Sequence, residues 1–119
     1  MPTDMTVAKT ILDQLGGRRF VAMTGAKDFL GGAASLTFSL PARLAQDGIN
    51  RVRVTLDPDD TYTVEAFKLT ARSAERLAEQ ARTPVWIRRG VYCDGLAGAF
   101  SEATGLETSL GAAGPRPGR

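Results

Sequence analysis

The chain has 119 residues, of which 43% are hydrophobic and 24% are charged, and its formal net charge is +2. This length suits one domain with its own core, and the composition is globular rather than disordered or fibrous. The small net charge is not the large basic excess typical of strong nucleic-acid binders. We expect a single domain over residues 1–110, followed by a disordered tail over residues 111–119 that contains only Gly, Ala, Pro and Arg.

Cysteine usage and hydropathy bear on the cellular compartment. Cys93 is the only cysteine, so an internal disulfide is excluded, which suits a reducing interior. The N-terminus has no basic segment followed by an apolar run, as a signal peptide would. No apolar stretch approaches the ~20 residues of a membrane helix. The expectation is a cytoplasmic protein without membrane association.

The first 24 residues predict a helix and then a strand. Thr3 or Asp4 can cap the helix, and Gly16-Gly17 can end it. Between them, apolar residues recur at helical spacing: Val7, Ile11, Leu12 and Leu15. Residues 18–24 read RRFVAMT, an apolar run that we interpret as a strand covered on both faces.

A glycine-containing loop and a second strand are expected next. Residues 25–34 include Gly25, Gly31 and Gly32, which favours a loop. In residues 35–40, SLTFSL, apolar side chains alternate with hydroxyls, which predicts a strand with one buried face.

Residues 50–69 predict a β-hairpin around the turn Asp57–Asp60. Matching apolar with apolar and polar with polar faces specifies the register. The expected pairs are Leu56 with Tyr62, Val54 with Val64, Val52 with Ala66, Thr55 with Thr63 and Arg53 with Glu65. Because Phe67 and Leu69 fall out of phase, we also expect a bulge near Ala66-Phe67.

The remainder of the domain predicts two helices flanking a short strand. A helix is expected over Ser73–Arg82, a strand begins at Val85, and Asp94 should cap a last helix that ends at Gly105. The predicted fold is therefore α+β: a four- to five-stranded, mainly antiparallel sheet with the N- and C-terminal helices packed on one face.

Several segments resemble a group of small uncharacterised proteins of phages and other mobile elements. These segments are TILDQLGGRRF (10–20), AMTGAK (22–27), INRVRVTL (49–56), VYCDGL (91–96), Phe100 and TGLETSL (104–110). The resemblance covers most of residues 7–110 and departs around residues 71–83. It implies a mobile-element setting, in which small proteins often bind host proteins or nucleic acid, and it implies no activity.

The sequence offers little for catalysis or for cofactor binding. Histidine, the usual general base and metal ligand, is absent, so Cys93 has no histidine to activate it and is expected to be a partly buried structural thiol. The acidic residues of 57–60 are better explained by turn formation than by a metal site. The 25–32 loop lacks nucleotide-binding spacing, although Lys27 could contact a phosphate or a carboxylate. We expect no enzyme, no metal and no cofactor.

Basic residues on or beside the predicted strands are the candidate binding residues. Val52 and Val54 occupy one face of their strand, so Arg51 and Arg53 must occupy the other. The full candidate set is Arg18, Arg19, Lys27, Arg51, Arg53, Arg88 and Arg89. Two functions are favoured over an enzyme: first, a nonenzymatic protein that binds a host or phage protein as an inhibitor or accessory factor, and second, a module that binds single-stranded nucleic acid through this arginine-bearing face. The nearly even charge balance favours the first of the two. Trp86 is either a core residue or an interaction residue.

Overall fold

A computed structural model of the protein describes residues 6–41 and 44–106. In chain order the elements are α1 (Thr6–Leu15), α2 (Gly17–Thr24), β1 (Lys27–Gly31), β2 (Ser35–Ser39), β3 (Arg51–Leu56), β4 (Tyr62–Phe67), α3 (Ala74–Gln80), β5 (Trp86–Val91) and α4 (Leu96–Thr104). The expected cap at Thr3 or Asp4 and the expected tail over 111–119 lie outside the described residues. Within this part of the chain, no helix is long and apolar enough to span a membrane.

The five strands form one antiparallel sheet in which each strand pairs with the next along the chain, in the order β1-β2-β3-β4-β5. Helices α1 and α4 contact the sheet and each other. Phe20 of α2 packs edge-to-face on Phe38 of β2 and Phe100 of α4, with ring centroids 5.2 and 5.0 Å away. The fold is α+β, and the prediction that the N- and C-terminal helices pack on one face is confirmed.

The hydrophobic core lies between one face of the sheet and the three helices α1, α2 and α4, which pack on that face. Ile11 and Leu15 of α1 are fully buried, which confirms the apolar stripe predicted for the first helix. The opposite side of the sheet, whose residues alternate with the core residues, is called the open face below.

The strand predicted for residues 18–24 is wrong, because these residues form α2. Short apolar runs fit a buried strand and a buried helix equally well. The turn at Gly16 (φ 130°) and Gly17 (φ 59°) lets a second helix follow α1 directly. In α2, Phe20 and Thr24 are one helical turn apart and buried, while Arg18, Arg19 and Ala22 are exposed.

The loop predicted for residues 25–34 is corrected in part, because residues 27–31 form the edge strand β1. Tertiary pairing with β2 overrides the local glycine and charge content. The strand is irregular: Asp28 adopts a left-handed conformation (φ 56°), and the register with β2 shifts between Lys27 and Leu30. Phe29 packs towards the core, 5.6 Å from the Phe38 ring.

All five pairs predicted for the hairpin are confirmed in β3 and β4. The bulge expected near Ala66-Phe67 is wrong, since the register continues without a shift to the pair Arg51–Phe67. Phe67 therefore lies on the open face, where it is nevertheless only 1% exposed. The Arg53 guanidinium lies 5.0 Å from the Phe67 ring centroid, so the arginine side chain covers part of this ring.

The predicted helix, strand and helix of the C-terminal half are present as α3, β5 and α4. Gly105 ends α4 in a left-handed conformation, as predicted. The cap predicted at Asp94 is wrong, because a 3-10 turn over Cys93–Gly95 precedes α4 and no side chain caps it.

Candidate functional site

The register of the sheet aligns one residue of every strand in a row across the open face. A single row crosses all five strands, because each of its members pairs directly with the next: Leu30, Thr37, Arg53, Glu65 and Ile87. Its two ends are exposed aliphatic side chains, with Leu30 63% and Ile87 42% exposed. The open face therefore has a polar centre and apolar margins.

The central Arg53–Glu65 pair is the main electrostatic feature of this row. The Arg53 Nε atom donates to Glu65 Oε1 at 3.0 Å. The Glu65 side chain is only 17% exposed, so the carboxylate is held close against the sheet. Because the guanidinium also lies over Phe67, Arg53 is fixed by its own neighbours. Glu65 offsets the charge that Arg53 could offer to a phosphate.

A second row runs alongside the first and pairs Lys27 with Ser39, Ser39 with Arg51, and Arg51 with Phe67. Lys27 is exposed, whereas Arg51 is half-buried. The Arg51 Nε atom is buried and has no hydrogen-bond partner among the described residues. Arg51 and Ser39 share a cleft of about 290 Å³ with Leu77 of α3, so α3 lies beside this end of the open face.

Arg88 of β5 lies on the core side of the sheet rather than on the open face. Arg88 pairs with Val64, a core-side position, and forms an ion pair with Glu102 of α4 at 2.6 Å. Arg88 also lies 5.7 Å from the ring of Trp86, which packs against the core. Trp86 thus belongs to the helix side. Arg89 is exposed and precedes Gly90 (φ 68°), where the pairing with β4 shifts.

The structure does not bring the seven predicted basic residues together on one surface. Arg18 and Arg19 are exposed on α2, which packs on the core side of the sheet. Lys27, Arg51 and Arg53 share the open face, where Glu65 is the acidic neighbour in the paired rows. The open face is therefore mildly basic. Of the seven basic residues predicted to bind a partner, Lys27, Arg51 and Arg53 are the ones that share it.

The acidic turn between β3 and β4 organises the hairpin. The Asp59 carboxylate accepts hydrogen bonds from the Thr61 hydroxyl (2.6 Å) and the Thr61 N–H (3.1 Å), and these bonds lower the pKa of Asp59. Asp57 accepts from the Thr63 hydroxyl at 2.6 Å. Among the described residues, no group of three or more His, Cys, Asp and Glu side chains is arranged to hold a metal ion.

The thiol of Cys93 differs from its prediction, because it is exposed rather than partly buried. Tyr62, the first residue of β4, is buried, and this burial, with a smaller contribution from Cys93, raises the pKa of its phenol. A phenol of raised pKa stays protonated at neutral pH and is a poor general base.

The sequence pattern predicts Arg53 beside Glu65, but it does not reveal the apolar margins of the open face. Leu30 was assigned to a loop, so no partner row could be drawn for it. Ile87 was recognised as a strand residue, but its face depends on pairing with Glu65, which no local pattern reveals. Comparison with known protein families, with curated proteins and with solved structures finds no match for this chain.

Proposed function

We propose that this chain is a nonenzymatic binding protein of a phage or mobile element, and that it engages a host or phage protein through the open face of its sheet. The observation that carries the proposal is the cross-strand row, in which a neutralised ion pair lies between two exposed aliphatic side chains, Leu30 and Ile87. Protein interfaces combine apolar contact with polar groups that fix orientation. The mobile-element setting comes from the resemblance of residues 7–110.

The partner surface is expected to be apolar with acidic groups at its rim. Lys27 is exposed and Arg51 half-exposed on the open face, while the charge of Arg53 is offset by Glu65. Carboxylates on the partner would complement Lys27 and Arg51, and complementary charge directs encounter and register. Binding of this kind suits an inhibitor or an accessory factor of a host system.

Single-stranded nucleic acid is the less favoured partner. Proteins that bind it combine a basic groove with aromatic rings on which bases stack. Within the described strands, the aromatic side chain of the open face is that of Phe67, and it is 1% exposed beneath Arg53. Trp86, for which the sequence left a core and an interaction role open, packs against the core on the other side of the sheet.

A matched pair of substitutions tests the proposal. Thr37 lies on the open face between Leu30 and Arg53, and Thr10 is an exposed residue of α1 on the helix side, so Thr37→Glu and Thr10→Glu make the same chemical change on opposite sides of the sheet. Captures from a host lysate are compared for wild type and both variants. The amount of partner captured should fall at least tenfold for Thr37→Glu, because added acidic bulk opposes a complementary surface. Thr10→Glu should capture as much as wild type. Retention by Thr37→Glu, or no specific capture by wild type, would contradict the proposal.

The same proteins should be titrated with single-stranded oligonucleotides at increasing salt. We expect wild type to bind them only weakly at physiological salt. If instead affinity is substantial, and Arg51→Ala with Arg53→Ala reduces the slope of log K against log salt by ~0.7 per lost phosphate contact, the nucleic-acid function replaces the one proposed.

A further inference from the structure

The outer edge of β5 is an exposed sheet edge with apolar side chains. In the strand order β5 is terminal, and its pairing among the described residues is with β4. Val85, just before the strand, is 56% exposed, and Ile87 within it is 42% exposed. An edge strand presents unpaired backbone groups that can template pairing with another chain.

Protection of this edge is uneven along β5. Towards its C-terminal end the strand carries Arg89 and the irregularity at Gly90, which are common devices against edge-to-edge pairing. The stretch from Val85 to Ile87 carries no charge. The charge of Arg88 is offset by Glu102 at 2.6 Å, so it does not protect the edge as a free arginine would.

We infer that the occupant of this edge is a second copy of the chain, whose β5 pairs antiparallel with the first about a two-fold axis at Ile87. Such an axis runs perpendicular to the sheet, so the helices of both copies lie on the same side and the sheet continues to ten strands. Isologous pairing of one edge with itself closes after two copies, which is the commonest oligomer symmetry.

Charge and backbone chemistry select this register. An axis at Ile87 places Ile87 opposite its own copy, Trp86 opposite Arg88 and Val85 opposite Arg89. An axis at Arg88 or Arg89 would place two arginines directly opposite each other, which is destabilising. An axis at Trp86 would place Pro84, which has no N–H, within the ladder.

Contacts already present in one copy favour the Ile87 axis. Arg88 lies 5.7 Å from the Trp86 ring centroid within the chain. Pairing about Ile87 would add the same cation–π combination twice across the two-fold axis, on the side of the sheet where Glu102 holds Arg88. The self-complementarity of this edge is independent of the open-face residue Thr37, which is used to test partner binding.

Disulfide trapping tests the register. In a Cys93→Ser background, Ile87→Cys would place two thiols opposite each other with Cα atoms about 4.5–5.5 Å apart, within disulfide range. Copper–phenanthroline oxidation should then yield a covalent dimer. Arg89→Cys in the same background is the matched control, because its two copies would be ~13 Å apart along the strands and should not link. Equal linking of both variants, or none of Ile87→Cys, overturns the inference.

Sedimentation equilibrium provides the second measurement, and its first result comes from the unmodified chain. Wild type should show a concentration-dependent dimer, and Ile87→Lys should shift it to monomer by bringing two ammonium groups together at the axis. The inference is overturned if wild type remains monomeric at high micromolar concentration. This outcome holds also if a strand from another protein, rather than a second copy, occupies the edge. Thr37→Glu should dimerise as wild type does, which separates this result from the test of partner binding.

Discussion

Replacement of Phe20 by alanine is expected to lower the free energy of unfolding by about 3–5 kcal/mol, the typical cost of emptying a buried phenylalanine site. Phe20 is fully buried at the point where α2, β2 and α4 meet, and its ring makes edge-to-face contacts with Phe38 and Phe100. A loss of this size is a large fraction of the stability of a small domain. The variant therefore tests whether this aromatic cluster is the centre of the core.

Urea unfolding followed by circular dichroism provides the measurement, and Ala22→Lys is the control. Ala22 lies two residues from Phe20 and is exposed in α2, whereas in a strand the two residues would share one buried face. The helix predicts that Ala22→Lys changes stability by no more than about 0.5 kcal/mol. A severe loss for Ala22→Lys, or a negligible one for Phe20→Ala, would contradict the position of α2.

Gly25→Ala is expected to destabilise the protein by about 1–3 kcal/mol, the usual cost of backbone strain in a non-glycine residue. Gly25 ends α2 in a left-handed conformation (φ 72°), and its N–H donates to the Val21 carbonyl at 2.9 Å. A Cβ atom at this position would lie 2.8 Å from Pro41 Cγ, so a side chain would clash as well as strain the backbone. The residue allows α2 to end and β1 to begin within two residues.

Gly98→Ala is the matched control for this substitution. Gly98 is exposed in α4, and an added Cβ atom would meet nothing within 4 Å. Alanine is favoured over glycine in a helix, so Gly98→Ala should stabilise the protein by about 0.5–1 kcal/mol. Thermal melts of the two variants should shift in opposite directions. A shift of Gly25→Ala to higher temperature would contradict the conformation described for the end of α2.

The β3–β4 hairpin was predictable because both its strands have one buried and one exposed face. Alternation over residues 51–66 allowed one register only, since a slip by one residue would have placed valines opposite polar residues. The predicted bulge failed for a related reason. Phe67 was expected in the core because it is apolar, whereas it is buried on the open face, where the Arg53 side chain lies over its ring; a hydrophobicity pattern does not represent such a contact.

The first half of the domain was less predictable because its elements are defined by long-range contacts. Residues 18–24 have apolar side chains at both strand-like and helix-like spacings, and in the helix Phe20 contacts Phe38 and Phe100, which are distant along the chain. Strand β1 has a weak local signal and exists by pairing with β2. The candidate site depends on the same contacts: the helix over 18–24 packs on the core side of the sheet, so Arg18 and Arg19 lie on the other side from Arg53.

The proposed function requires the open face to be a contact surface for a protein. Site-specific photo-crosslinking tests this requirement directly. A photoreactive benzoylphenylalanine is placed at Thr37, beside Arg53 in the cross-strand row, or at Thr10 on α1, and cells of the proposed host that produce each variant are irradiated. The open-face account predicts a discrete covalent adduct with a protein from position 37 and none from position 10. An adduct from position 10 alone, or no protein adduct from position 37, would contradict it.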